Sequence, residues 1–268
     1  MDQDRSAEDE YRFAVTCASG VTAPVNLEES LRHLQAAARL GHSAAQAELA
    51  ALGAKGRPAQ AVVSDWLRFP DPHALSPSPR IVMVMGFLPH AVCDWLMKAS
   101  GPNLKRAEIY DNKSGELRAD QVRSNSAAQY LPTNLDTVFA FVRARIGALV
   151  DVPVCALETT QILHYKVGEE FGAHYDFLDL RFPGLAKDAA EHGQRAMTVL
   201  VYLNEDYAAG DTAFPVIGRS FKGKKGDSLV FWNLNEDGTP DFNTQHIGTA
   251  PTSGEKWLLS QWIRVRAQ

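Results

Sequence analysis

The chain has 268 residues, 45% of them hydrophobic and 22% charged, with a net charge of −5. This is the balance of a packed globule, large enough for one domain or for one domain and a smaller companion. An acidic total with no run of lysine or arginine argues against a nucleic-acid polyanion as the main partner. No stretch of about 18 apolar residues is present to span a membrane.

The three cysteines, Cys17, Cys93 and Cys155, are odd in number and far apart. They suit neither a disulfide framework nor a zinc knuckle, so a reducing compartment is expected. The first residues, MDQDRSAEDEYR, are acidic and lack an apolar stretch. They do not read as a signal peptide, and the expected location is cytoplasmic.

In chain order, residues from Leu27 to Leu52 read as two helices. Leu31, Leu34, Ala38 and Leu40 give a helical stripe, Gly41-His42-Ser43 breaks it, and Ser43 is the expected N-cap of a helix through Leu52. The segment AAARLGHSAAQAELAALG resembles the C-terminal half of a Sel1-like repeat. One repeat cannot bury its own face. Residues 1–68 are therefore expected to form a helical region, packed on the main domain or binding a protein partner. The prolines of FPDP and SPSP mark residues 69–80 as an extended linker. The main domain is expected over residues 81–268.

That domain opens with a strand from Ile81 to Leu88. A helix follows Pro89, with Val92, Trp95, Leu96 and Ala99 on one face. The loop from Ile109 to Arg123, with Lys105, Arg106, Lys113 and Arg118 around it, is expected to be a flap over a peptide groove. Another helix is expected from Asn134 to Leu149, its stripe being Leu135, Val138, Phe139, Val142 and Ile146. Beyond Glu158 the texture changes to short β-branched and aromatic runs separated by glycine-rich turns: TTQILHYKVG, MTVLVYLN, DSLVFWNL and KWLLSQWIRVR. Helices first and strands afterwards indicate an α+β fold, with helices backing a sandwich or barrel. In the last run, Trp257, Leu259, Ile263 and Val265 share one face. Lys256, Leu258, Ser260, Trp262 and Arg264 share the other, which is expected to line a cavity.

The chemistry is concentrated in GAHYDF and QHIGTAP. His174 and Asp176 are two apart, so on a strand they would point to one face. His246 supplies a second imidazole. Two histidines and a carboxylate make a facial triad that leaves coordination positions open, a set suited to non-haem iron(II). An HxD pair alone is a weak signal, and Lys256 strengthens it. A lysine facing the inside of a barrel is costly unless it meets an anion. The C5 carboxylate of 2-oxoglutarate would be such an anion. A zinc hydrolase on the same triad is a competing interpretation, but it leaves Lys256 without a role. A catalytically silent metal-binding scaffold is another.

From about Arg123 to Arg264 the chain resembles the prolyl 4-hydroxylase group of 2-oxoglutarate oxygenases. QILHYKVGEEFGAHYDF is similar to the family's first core strand, its tyrosine and its HxD turn. RAMTVLVYLNEDYAAGDTAFP is similar to the next block. The family pattern Gly-Gly-Glu-Thr-x-Phe-Pro appears there as Ala209-Gly210-Asp211-Thr212-Ala213-Phe214-Pro215. GKKGDSLVFW and HIGTAPTSGEKWLLSQWIR are similar to the closing blocks. The resemblance implies a double-stranded β-helix (jelly-roll) with supporting helices. It implies iron(II) held by His174, Asp176 and His246, with 2-oxoglutarate and O₂ as cosubstrates and ascorbate as an accessory reductant. Lys256 would pair with the C5 carboxylate of 2-oxoglutarate, Tyr165 and Thr212 would hydrogen-bond to it, and Trp262 would wall the pocket. Arg123 would contact the substrate. His164 should face away from Tyr165 and is not counted as a ligand. The implied reaction is hydroxylation at C4 of a prolyl residue in a peptide or protein. Hydroxylation of a free amino acid or another small molecule is the alternative.

Overall fold

The computed structural model describes residues 5–110, 117–118 and 122–265. The chain begins with helices α1 (Ala7–Ser19), α2 (Leu27–Arg39), α3 (Ser43–Ala51) and α4 (Ala59–Trp66). Next come strands β1 (His73–Pro77) and β2 (Arg80–Val84), helix α5 (His90–Ser100), and short strands β3 (Lys105–Arg106), β4 (Ile109–Tyr110) and β5 (Leu117–Arg118). Strand β6 (Ser126–Tyr130) precedes helix α6 (Thr137–Val150). The remainder is rich in strands: β7 (Thr160–Tyr165), β8 (Phe171–His174), helix α7 (Pro183–His192), β9 (Gln194–Tyr202), β10 (Ala208–Ala209), β11 (Thr212–Phe214) and β12 (Arg219–Phe221). The last four are β13 (Ser228–Trp232), β14 (His246–Gly248), β15 (Pro251–Ser253) and β16 (Lys256–Val265). No helix among the described residues is long and apolar enough to cross a membrane.

Backbone contacts divide the chain into two units, residues 1–69 with 130–157, and residues 70–129 with 158–268. The first is helical. Helix α1, which the apolar pattern does not announce, starts at a capping box between Ser6 and Asp9. On α2 the buried stripe is Leu27, Leu31, Leu34 and Ala37. The expected Ala38 is a residue out of phase, and Leu40 is 56% exposed beyond the helix end. Helix α3 is capped by His42, whose Nδ1 accepts from Ala45 N at 3.2 Å. Ser43 is thus the first helical residue rather than the cap. Helix α6 belongs to this unit and is buried on every side from Thr137 to Gly147, not along one stripe. Such a helix is a core element rather than an amphipathic one.

The N-terminus of α6 meets a buried acid. Glu48 accepts from Thr137 N at 3.0 Å and from the Tyr11 hydroxyl at 2.5 Å. Burial, with Asp136 adding repulsion, raises the Glu48 carboxyl to about 7. The folded state thus holds a proton that the unfolded chain releases near 4.5. This contribution to stability is full below that pH and is lost as pH rises towards 7. Glu48→Gln is expected to flatten this part of the thermal-midpoint pH profile, removing about 1–3 kcal/mol of pH dependence.

The second unit is built on two sheets. The larger runs β1-β2-β13-β9-β16-β7-β6-β3, and the smaller runs β12-β11-β14-β8. Alternate residues of the large sheet, including Leu163, Tyr165, Leu200, Tyr202, Leu229, Phe231 and Leu258, share a core with Phe214 and Phe221 of the small one. This is the expected α+β, jelly-roll arrangement. Its inner faces follow the two-residue period of strands. One expectation is corrected: residues 69–80 are not a linker throughout. β1 pairs antiparallel with β2, His73 opposite Met83 and Pro77 opposite Arg80, as the edge of the large sheet. An edge strand and its turn tolerate prolines because their missing N–H groups are not needed inward. In the expected flap, Ile109–Tyr110 pairs with Leu117–Arg118, while Lys113 lies outside the described residues. Lys105 and Arg106 pair with Ala127 and Ser126.

Candidate active site

The site lies where the small sheet meets a bend. Strand β8 ends on His174 and β14 begins on His246, and the two residues are direct partners across the antiparallel pair. Asp176 lies beyond the end of β8, in the bend that follows. The expectation that His174 and Asp176 share one face of a continuous strand is therefore corrected. The strand stops at the histidine, and the bend carries the carboxylate round to it. One ligand atom from each of the three residues lies within 4.8 Å of the others. The Nε2 atoms of His174 and His246 are each 3.6 Å from an oxygen of Asp176.

The proton positions follow from the partners of the other ring nitrogens. His174 Nδ1 is 2.8 Å from the Gly172 carbonyl, and His246 Nδ1 is 3.0 Å from the Thr244 carbonyl. A carbonyl only accepts, so each Nδ1 carries the proton and each Nε2 turns its lone pair inward. Burial and the neighbouring His174 hold His246 down at about 4, so it is neutral at physiological pH. Burial opposes ionisation of Asp176, but the charge that His246 and His174 carry whenever they take a second proton, together with the Thr198 hydroxyl, outweighs it and holds the carboxyl well below its usual range. Three electron-pair donors thus face one point, the donor set of a divalent metal that needs two imidazoles and a carboxylate.

Behind the triad, the Thr198 hydroxyl of β9 donates to Asp176 Oδ2 at 2.7 Å, and Asn233 Nδ2 donates to Thr198 Oγ1 at 3.0 Å. Both residues are fully buried. They leave the other Asp176 oxygen directed at His174.

In front of it is a narrow cavity with Tyr165, Thr212, Gly248, Leu258, Ser260 and Trp262 among its lining residues. Of the cavity-facing set expected on β16, Leu258, Ser260 and Trp262 line the cavity, whereas Arg264 does not: past a register shift after Ile263 it binds Glu158 and Asp188. Lys256 sits behind this lining, opposite Tyr165 in the β7–β16 register, with Nζ 4.8 Å from the Tyr165 ring centre. Its ammonium is fully buried with no hydrogen-bond partner among the described residues, and burial lowers it to about 7, Asp211 opposing the shift. Gly254, at φ +71°, makes the turn into β16. A side chain there would collide with the Asp206 carbonyl. Gly248 leaves space for Tyr165, whose hydroxyl would lie 3.1 Å from a Cβ at that position. Thr212 Oγ1 is 3.3 Å from the Tyr202 hydroxyl. His164 points away, as expected, to Glu255 and the Trp257 ring.

The cavity opens into a groove of about 490 Å³ that shares Arg123, Phe171, His174, Asp176 and Trp262 with it. Arg123 is 4% exposed. It donates to Asn125 Oδ1, the Glu108 carbonyl and Gln161 Oε1 at 3.2, 3.0 and 3.1 Å, and lies over Phe171. Several groove and support residues escaped the sequence pattern. Arg195 is paired with Glu158 at 2.6 and 2.9 Å and lies 3.7 Å from the centre of the Trp262 ring. A charged residue heading an apolar strand was the available signal for Arg195. Thr198 and Asn233 gave none, because short polar residues are common in strands and turns.

Thr198→Val keeps the shape and removes the hydrogen bond to Asp176. It is expected to weaken divalent-metal affinity by about 10- to 100-fold, and Thr198→Ser is expected to restore it. Competition titration with a chromophoric chelator measures this directly.

A family model described as the 2OG-Fe(II) oxygenase superfamily matches residues 160–264. Probable prolyl 4-hydroxylase 6 of Arabidopsis thaliana is 34% identical over 213 residues, covering 72% of each chain. Prolyl 4-hydroxylase 1 of the same plant is 31% identical over 212 residues, covering 73% of this chain and 72% of its own. The crystal structure of a viral collagen prolyl hydroxylase from Paramecium Bursaria Chlorella virus-1, in complex with 2OG, superposes with a TM-score of 0.52 at 27% identity. It covers 69% of this chain and 96% of the viral one. With the triad and the two-sheet core in place, the chain belongs to the 2OG-Fe(II) oxygenase superfamily and is an iron(II)- and 2-oxoglutarate-dependent dioxygenase.

Proposed function

We propose that the chain hydroxylates C4 of a prolyl residue within a peptide or protein. The observation that carries this is the opening of the triad's cavity into a groove that continues well past the metal position, room that a free amino acid does not need. The prolyl 4-hydroxylase relatives support the choice of residue.

In this proposal His174, Asp176 and His246 hold iron(II). With 2-oxoglutarate and dioxygen, the bound metal supplies the oxidant that places oxygen on a C–H bond, with release of succinate and carbon dioxide. The chain's own residues bind and orient. The Asp176 carboxylate offsets part of the metal charge. The buried ammonium of Lys256 receives the C5 carboxylate of 2-oxoglutarate, and Tyr165 and Thr212 donate hydroxyl hydrogen bonds to the same group. Leu163, Leu200 and Leu258 keep water from that end of the cavity. Arg123, fixed by three hydrogen bonds, presents its remaining N–H groups to a substrate carbonyl. Trp262, held under Arg195, walls the side from which the target ring approaches.

Lys256→Met is expected to weaken 2-oxoglutarate binding by about 2–5 kcal/mol, roughly 30-fold or more in Kd. Wild-type affinity should also fall above about pH 7, where the free ammonium loses its proton. Binding the dicarboxylate then requires proton uptake, and Kd should rise by up to about tenfold per pH unit. Isothermal titration at several pH values checks both.

The function itself is tested in two steps. Under anaerobic conditions, iron(II) and 2-oxoglutarate are expected to give a visible charge-transfer band that His174→Ala abolishes. Its absence from the wild-type protein at saturation would overturn the cofactor assignment. In air, proline-containing peptides should gain one oxygen at proline and form 4-hydroxyproline, while free proline should not. Turnover of free amino acids alone would overturn the peptide proposal.

A further inference from the structure

We infer that the groove beside the metal selects its peptide by a bulky apolar side chain adjacent to the modified residue. This rests on the proposal of a peptide substrate and adds what the sequence around the target must contain.

The groove lining has two chemically different parts. In the polar part, Arg195 is bound to Glu158 by two contacts of 2.6 and 2.9 Å, and Arg123 is bound to Gln161 at 3.1 Å. Glu158 neutralises Arg195, and Arg123, held by neutral acceptors, is fixed with its remaining N–H groups available to a backbone carbonyl. The apolar part of the lining is Phe177, Leu178, Phe182 and Leu185, the last from the first turn of α7. Phe182 and Leu185 are only half-buried, so part of their apolar surface remains uncovered. At the mouth, Asp179 is bound to Arg181 at 2.6 Å and is likewise not free to select a cation.

Further apolar side chains are exposed in or near this lining. Val122 is 45% exposed and lines the groove, and Leu180 is 54% exposed beside Asp179. Phe242 is 48% exposed and packs edge-on against Tyr175 and Phe177, with ring centres 5.5 and 5.3 Å apart. Val122 in the lining and Phe242 packed against the lining residues Tyr175 and Phe177 leave apolar surface uncovered beside the groove, the kind of surface that binding sites expose.

The wall is also held in place. Leu178 exchanges both backbone groups with the Gln194 amide at 2.7 Å each, and Asp188 of α7 accepts from Arg264 at 2.8 Å. A preformed apolar recess loses little entropy when it is filled. The groove is continuous with the metal cavity through Phe171, His174, Asp176 and Trp262. A residue seated against Phe182 and Leu185 therefore occupies the same groove as the residue being oxidised, which the proposal takes as its neighbour in the peptide.

The test uses peptides identical except for the residue on either side of one proline: alanine, leucine, phenylalanine, aspartate or lysine. Binding of the labelled peptides is measured by fluorescence anisotropy to the anaerobic iron(II)–2-oxoglutarate complex, and hydroxyproline formation is measured separately in air. Leucine or phenylalanine on one side should improve both Kd and kcat/KM about 10-fold or more over alanine, and aspartate and lysine should not. Leu185→Ala should collapse the leucine-to-alanine ratio towards one. Val216→Ala, at an exposed site outside the groove, should leave the ratio intact. A ratio near one in the wild type, or a Leu185→Ala loss equal for every peptide, overturns the inference even if hydroxyproline forms. Side-chain-selective binding without hydroxyproline would overturn the prolyl proposal and leave the groove assignment standing. Absence of both binding and turnover overturns both.

Discussion

The second unit is organised around three lone pairs that must face one another in a buried place. Neutral imidazole and carboxylate ligands repel or waste hydration when they converge without a cation, so the backbone has to impose the geometry. Here it does so through register. His174 and His246 are direct partners across β8 and β14, so slipping that pair by one residue would turn an imidazole to the other face. The carbonyls of Gly172 and Thr244 then lock the ring tautomers, and the bend after β8 supplies the carboxylate.

The large sheet answers a second demand, a buried ammonium with no hydrogen-bond partner among the described residues. Lys256 opens the longest strand and faces inward opposite Tyr165. Its neighbours on that face, Leu258 and Ser260, line the cavity, while Leu259 and Ile263 are buried on the other side. A fully buried lysine without a hydrogen bond destabilises the free protein, so it is retained for what it receives. One strand thus places the anion-binding end of the cavity and, at Trp262, the wall shared with the substrate groove.

Much of this was legible in the chain itself. The two-residue period of KWLLSQWIRVR separated cavity-facing from outward residues. HYD and QHIG marked the ligands because the imidazole–carboxylate chemistry requires those residue types. What was not legible has a physical reason in each case. β1 was hidden because prolines in an edge strand look like those of a linker. The apolar pattern shows one stripe on helix α6, which is buried all round. Its arginines, Arg143 and Arg145, are also buried, and a helical wheel treats such charges as solvent-facing. The cap of α3 fell to His42 rather than Ser43 because a ring nitrogen can accept an N-terminal hydrogen bond as well as a hydroxyl. Asp176 was expected on a strand, since the two-residue spacing does not tell a strand from a bend that closes on the same point.

The residues that the pattern missed altogether share a property: they act on other side chains. Glu158 is the clearest case. It receives Arg195 and Arg264 at once, Arg264 also binds Asp188 of α7, and Arg195 lies over Trp262. One carboxylate therefore ties together the start of β9, the end of β16 and the helix that forms the apolar wall. Removing it would leave two largely buried guanidinium groups competing for Asp188, a cost well above that of an exposed ion pair. It would also release the Trp262 ring that lines both the metal cavity and the groove. In this fold the metal ligands are fixed by backbone register, whereas the substrate groove is fixed by a charge network. The ligands can therefore be recognised from short motifs, while the groove is recognisable only once Glu158, Asp188, Arg195 and Arg264, distant in the chain, have been brought together.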